Sequence, residues 1–274
     1  MNSIAIRIDP KNPGHFFAAC GLFDLSAEVN PDVEARFDLS HRTPRQGKFV
    51  LAGIEVGDLK KQIGALVSAT YSAAVDEPEL NAILPIRVDL GGRVVTLNWW
   101  LREFQDRAVA LKGWGGQVTS LKLFRDLAKA CEVPTDLGGI FEMGKPTSSR
   151  FGVDPRSAWN TIDLGYSPNE QGQEADSFPW AELLAAFGLQ RFRPIVGRRR
   201  QVPYFLWSDP LHRIAAQTGA FCPWEGLGGW QMIFSIEGRG QSYKYFAYGR
   251  RVSQGELAEL LRGGKKAKQI EEED

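Results

Sequence analysis

A chain of 274 residues that is 43% hydrophobic and 24% charged can bury a real core as one large or two modest domains, which describes an ordinary globular protein. No apolar run approaches the roughly 20 residues needed to cross a bilayer, and the N-terminus lacks the charged-then-apolar pattern of a secretory signal, so a cytoplasmic protein with no membrane partner is expected. The 33 basic and 33 acidic side chains cancel, yet residues 187–252 carry ten Lys or Arg against three Asp or Glu, a local excess of the kind that meets polyanions.

In chain order, residues 4–9 alternate apolar and polar and predict a first strand. Pro13, behind the N-cap residue Asn12, opens a helix predicted over 13–29, with Phe16, Phe17, Cys20, Phe23 and Ala27 on its apolar face and Gly21 admitting a neighbouring backbone. Short strands are predicted at 35–39 and 48–51, then a helix over 58–71 built on Leu59, Ile63, Leu66 and Val67. The runs 83–90 and 93–97 flank Gly91-Gly92, a hairpin signature. They lead through Trp99-Trp100 to the GWGG at 113–116. A helix over 117–131 follows from Leu121, Phe124, Leu127 and Ala128 and stops before Pro134.

The stretch KPTSSRFGVDPRSAWNTIDLGYSPN, residues 145–169, mixes Pro146, Pro155 and Pro168 with Gly152, Gly165 and hydroxyls, which suits a loop held in one shape. Within it residues 159–164 predict a strand. The polar residues 170–177 are the best candidate for a boundary between two lobes, or for a long insertion in a single domain. A helix starts at Pro179 on Leu183, Leu184 and Phe187, and Gly188 is expected to stop it. After an arginine-rich segment, a hairpin pairs 230–237 with 241–248 across 238–240. Ser253 and Glu256 form a capping box for a last helix to 261, and the charged residues 264–274 read as a solvated tail. Hairpin-paired strands, irregular alternation with helices and no repeating βαβ unit predict an α+β fold of mixed and antiparallel strands with several packed helices.

Chemistry is sparse. Cys20, Cys131 and Cys222 are scattered among apolar neighbours and read as structural thiols. GxSxG, HExxH, CxxC, Walker and GxGxxG fingerprints are absent, so no catalysis, cofactor or metal is expected. His15 could donate to a phosphate or act in catalysis, but a capping or packing role fits better because no second His or Cys lies at ligand spacing. Asp9, Asp24, Asp38, Asp154 and Asp163 could in principle assemble a magnesium site for a nuclease, although aspartates in turns usually accept local hydrogen bonds. Nucleic-acid binding fits better. Arg191, Arg193, Arg198, Arg199 and Arg200 supply forks for phosphates, and Tyr204, Phe205 and Trp207 behind them are either core or platforms for unpaired bases.

DPKNPGHFFAACGLFDLS at 9–26 and SSRFGVDPRSAWNTIDLGYSPNEQG at 148–172 together resemble the short large-subunit-like protein of subtype I-U, also called I-G, CRISPR effector complexes, the third of the Csb proteins. The motifs stand in family order, at about the family separation and in a chain of about the family length. The resemblance implies a non-catalytic subunit of Cascade, the crRNA-guided surveillance complex of antiviral defence, in which guide pairing reads sequence and protein senses the adjacent motif. It implies crRNA, target double-stranded DNA, the Cascade backbone and guide-end subunits and a recruited helicase-nuclease as partners. Asn12, Gly14 and His15 fall in the first motif and Gly152, Asp154, Arg150 and Arg156 in the second, as contacts to a partner or as locks of the fold. Lys145, Arg150 and Arg156 would form a secondary nucleic-acid contact beside the arginine segment. The alternatives are an assembly subunit that binds only neighbouring proteins, and a metal-dependent nuclease.

Overall fold

The computed structural model describes residues 2–40, 46–75, 82–102, 105–108, 110–115, 118–147, 149–157, 176–238 and 244–262. The first half holds β1 (Ser3–Ile8), α1 (Pro13–Val29), β2 (Glu34–Asp38), β3 (Gly47–Ala52), α2 (Val56–Ser68), β4 (Thr70–Ala73), β5 (Ile86–Asp89), β6 (Val94–Leu97), β7 (Leu101–Arg102), β8 (Gln105–Ala108) and α3 (Ser120–Ala130). The second holds β9 (Lys145–Pro146), β10 (Asp176–Ser177), α4 (Pro179–Arg191), β11 (Gln201–Trp207), β12 (Leu211–His212), α5 (Arg213–Gly219), β13 (Gly229–Glu237), β14 (Tyr245–Phe246), β15 (Arg250–Arg251) and α6 (Gln254–Arg262). Short 3-10 turns occupy Leu137–Glu142, Pro155–Ser157 and Arg198–Arg200. This is an α+β fold in which, among the described residues, all the strand pairs are antiparallel and not mixed. Among the described residues no helix is long and apolar enough to cross a membrane.

Two sheets enclose α1. One has strand order β1-β3-β2-β12, and the other has order β11-β13-β14, with β15 also paired to β13. Phe16 and Phe23 of α1 meet Phe37 and Phe49 of the first sheet, while Phe16 and Phe17 meet Tyr204 and Phe234 of the second. The expected apolar face is therefore one part of a helix buried on all sides from Pro13 to Ala27, as an all-round apolar helix must be. Asn12 caps it, its side chain accepting from the His15 N–H at 3.3 Å.

The long contact of α1 is with α4, and glycines set it. A Cβ on Gly21 would overlap the Leu184 carbonyl oxygen, and one on Gly188 would overlap that of Phe17. Gly21 admits a backbone as expected. Gly188 does not stop its helix: α4 continues to Arg191 because Gly188 serves the crossing instead. Two helix boundaries shift inward. α2 ends at Ser68 because Thr70 and Tyr71 pair with Asp89 and Val88 of β5, and α3 begins at Ser120 because Thr119 accepts from the Lys122 N–H at 3.1 Å.

The hairpin at Gly91-Gly92 forms as expected, with both glycines at positive φ, 79° and 116°, and Leu90 N–H donating to Arg93 O. Ser253 Oγ accepts from the Glu256 N–H and opens α6. The late hairpin exists as Ile236 and Glu237 opposite Phe246 and Tyr245; its turn over 239–243, the strand over 159–164, most of the polar stretch 170–177 and the tail over 264–274 lie outside the described residues.

The aromatic residues of β11 are core and not base-stacking platforms. Tyr204 and Trp207 are fully buried and Phe205 is 6% exposed, because β11 has α1 against it, β13 on one edge and, on the other, Ala220 O accepting from Phe205 N–H at 2.8 Å. Tyr204 donates its hydroxyl to Pro10 O at 3.0 Å, and Trp207 donates Nε1–H to Ala35 O at 2.8 Å. These bonds satisfy the only polar atoms that two large rings carry into the core.

Candidate functional site

The two motifs at 9–26 and 148–172 meet in the interior. Asn12 Nδ2 donates to Asp154 Oδ1 at 3.0 Å, and Gly14 lies so close to this loop that a Cβ would sit 2.8 Å from Val153 O. Arg156 grips the same carboxylate, Nε to Oδ1 at 3.0 Å and Nη2 to Oδ2 at 2.6 Å, and reaches Glu142 Oε2 at 2.8 Å and Phe141 O at 2.7 Å. Its guanidinium stacks 3.4 Å from the Phe178 ring centroid. Below the loop, Glu182 of α4 accepts from the N–H groups of Phe151 at 2.7 Å, Gly152 at 3.1 Å and Asp154 at 3.2 Å. Gly152 is needed here because its φ is +78° while its carbonyl accepts from Phe246 N–H at 2.8 Å.

This burial sets the protonation states. Burial alone would raise the Asp154 carboxyl, but the hydrogen-bonded Arg156 guanidinium holds it below the usual carboxylate range. Glu182 has no such partner. Burial and then the Asp154 charge push it up to about 7, against the pull of the backbone N–H donors. Burial draws His15 down to about 3. Its Nδ1 accepts from Asp9 N–H at 2.9 Å, which puts the proton of the neutral ring on Nε2, 3.9 Å from Asp154 Oδ2 and 4.0 Å from Glu142 Oε1.

Asn12, His15 and Asp154 are at most 1% exposed, and Gly14 and Gly152 are buried with them. In this conformation these residues pack on one another inside the chain, away from its surface. Arg156 belongs to the same junction, with 18% of its side chain exposed. Arg150 is half-buried and sits close enough to lower Glu182. Lys145 pairs with Glu132 at 2.6 Å on the surface. Glu182 and Glu142 escaped the sequence reading. The available signal was a lone acid inside the apolar helix PWAELLAAFGLQ.

The arginine segment divides in two. Arg191 Nε lies 3.5 Å from Asp24 Oδ2, within a network in which Arg213 also bonds Asp24 and Glu28, and Arg93 approaches Glu28. Arg193 donates to Asn98 Oδ1 at 2.8 Å. Both also remain exposed. Arg198, Arg199 and Arg200 are exposed on a turn closed at its base by Gly197 N–H to Gln201 O at 2.7 Å. Arg199 and Arg200 adopt φ of 53° and 57°. Left-handed backbone at a residue with a Cβ costs on the order of 1–2 kcal/mol each. The turn stores that strain while displaying three consecutive guanidinium groups.

Among the described residues no three His, Cys, Asp or Glu side chains converge in a way that could hold a metal ion. Of the aspartates considered for a nuclease site, Asp24 and Asp154 are bound to arginines, Asp9 accepts from Lys11 N–H, Asp38 accepts from Ser40, and Asp163 lies outside the described residues. A scan of protein-family models, a search of curated proteins and a search of solved structures each found no match.

Proposed function

We propose that this chain is a non-catalytic, large-subunit-like component of a type I CRISPR crRNA-guided surveillance complex, acting in the cytoplasm and contacting target DNA near the protospacer-adjacent motif or the crRNA end. The strained, exposed Arg198–Arg200 turn carries the nucleic-acid part of this reading. Exposed guanidinium groups on a short, closed turn can pair with phosphate oxygens, and strain of this kind persists where a site uses it. The motif resemblance carries the assignment to Cascade, with crRNA, target duplex, backbone and guide-end subunits and the helicase-nuclease as its partners.

The test is duplex binding by the complex reconstituted with wild-type chain or with Arg198, Arg199 and Arg200 changed to alanine. Assembly should be equal, and the variant should bind more weakly, with a salt slope reduced by about two to three units, roughly one per lost phosphate contact. A loss confined to targets bearing the adjacent motif would assign motif reading to the turn. The rival is an assembly role, in which this arginine segment, with Ile195 72% exposed between its two groups, meets a neighbouring subunit instead of nucleic acid. Under that reading the triple variant fails to assemble at any salt concentration, while its intrinsic nucleic-acid affinity is unchanged.

A further inference from the structure

The last residues of β13 are flanked by cations on both sides. Gln201 of β11 lies opposite Ser235, and on the other edge Tyr245 of β14 lies opposite Glu237. Arg200 and Lys244, each one residue outside its strand, therefore emerge at the same end of the sheet. A third cation is fixed to this edge through the backbone. Lys244 N–H donates to Gly113 O at 2.8 Å, and Gly113 is wedged so closely between two segments that a Cβ would overlap the carbonyl oxygens of Phe151 and Lys244. That holds Lys112, the preceding residue, in place. Its Nζ donates to Trp114 O at 2.7 Å and lies 4.9 Å from the Trp114 ring centroid. Trp114 is itself 3% exposed and anchored by Nε1–H to Ala82 O at 3.0 Å.

The half-buried lysines have no carboxylate among the described residues that offsets their charge. Burial lowers both, and the neighbouring cation pushes each further the same way, Lys244 acting on Lys112 and Arg200 acting on Lys244. The nearest acid along β13, Glu237, uses its two oxygens to accept from Ser235 Oγ at 3.0 Å and Tyr245 OH at 3.1 Å. A folded chain that holds like charges together in this way gains when an anion arrives, because repulsion becomes attraction and condensed counterions are released.

We propose that Lys112, Lys244 and Arg200 form a seat for one backbone phosphate of the nucleic acid that the Arg198–Arg200 turn meets. The seat rests on the reading of that turn and adds two lysines that bind a phosphate oxygen as compact point donors, one of the three Lys112 ammonium protons being held by Trp114 O. Because the backbone fixes the segment carrying Lys112, little ordering is required on binding.

The test uses the purified full-length chain and a 20-nucleotide oligo-dT strand titrated across salt concentrations. Lys112→Gln/Lys244→Gln should weaken binding and lower the slope of log affinity against log salt by about 0.7, the value of one single-strand phosphate. Lys244→Gln alone should weaken binding less, and Lys244→Arg should restore it. Arg198→Ala/Arg199→Ala, which leaves the seat intact, reports on the turn alone. If the arginine pair matters and the lysine variants bind like wild type, the seat is wrong and the turn stands. If none of these substitutions changes affinity, both readings fall. Melting temperatures monitor folding, and should the double lysine variant melt early, the Lys244→Gln and Lys244→Arg comparison decides the matter.

Discussion

Gly188→Val removes the folded state. The new side chain would be driven into the Phe17 carbonyl of α1 at a place where Gly21 is already pressed on the Leu184 carbonyl. Neither group can rotate away, since both belong to helix backbones. The helices would have to separate, opening a void along the best-packed line of the core, and destabilisation above about 4 kcal/mol is expected for such overpacking with cavity formation. Circular dichroism during urea titration would read the loss. Gly188→Ala is the more discriminating substitution. Alanine in a helix interior is better than glycine by about 1 kcal/mol where space allows, so only a steric role makes this change destabilising. Gly64 in α2 provides the control, because its Cβ would meet only Val133 Cγ2 at 3.9 Å, and Gly64→Ala should stabilise by up to about 1 kcal/mol. A Gly188→Ala variant as stable as Gly64→Ala would refute the close crossing.

The second large effect concerns pH. Glu182 rises from 4.5 to about 7 on folding, so the folded chain holds a proton that the unfolded chain releases. Its contribution is fully present below pH 4.5 and is lost as pH rises through 7. His15 falls from 6.5 to about 3, so the unfolded chain takes up a proton that the folded chain refuses, and its contribution is present above pH 6.5 and is lost as pH falls. Between pH 4.5 and 6.5 the two slopes have opposite signs and nearly equal size, each approaching about 1 kcal/mol per pH unit. Wild type should therefore show little net dependence from this pair. Glu182→Gln removes one side of the balance. Its stability should rise with pH across that window more steeply than wild type by about 1 kcal/mol per unit, on a base lowered by roughly 1–3 kcal/mol because an amide cannot accept from all three loop N–H groups. Chemical denaturation at several pH values measures the difference, and parallel profiles would show that Glu182 is ionised throughout.

Features with a local cause were legible in the sequence. The Gly91-Gly92 hairpin, the Asn12 cap and the Ser253 cap each depend on residues within four positions of one another. Gly188 was misread for the opposite reason: a glycine ending a helix and a glycine crossing another helix look the same without the partner. Strand β12, two residues completing a sheet that begins at Ser3, has no local pattern to reveal it. The buried junction shows the same limit. Asn12, His15, Asp154 and Arg156 stand out by composition, but Asn12 and Asp154 are 142 positions apart, and their mutual burial follows from the tertiary fold. Tyr204 and Trp207 looked like either core or platform until β11 was seen to be covered.

The bond from Trp207 to Ala35, together with that from Tyr204 to Pro10, also bears on how the protein is made. α1 ends at Val29, while the helix and the strand that complete its cover begin only at Pro179 and Gln201. At roughly 5–20 residues per second, the interval before Trp207 is polymerised is on the order of 10 to 40 s. Throughout that time only the side of α1 that meets β2 and β3 can be covered, and the side that meets α4 and β11 stays open, so the chain should depend on holdase chaperones during translation, and fragments that stop short of β11 should aggregate.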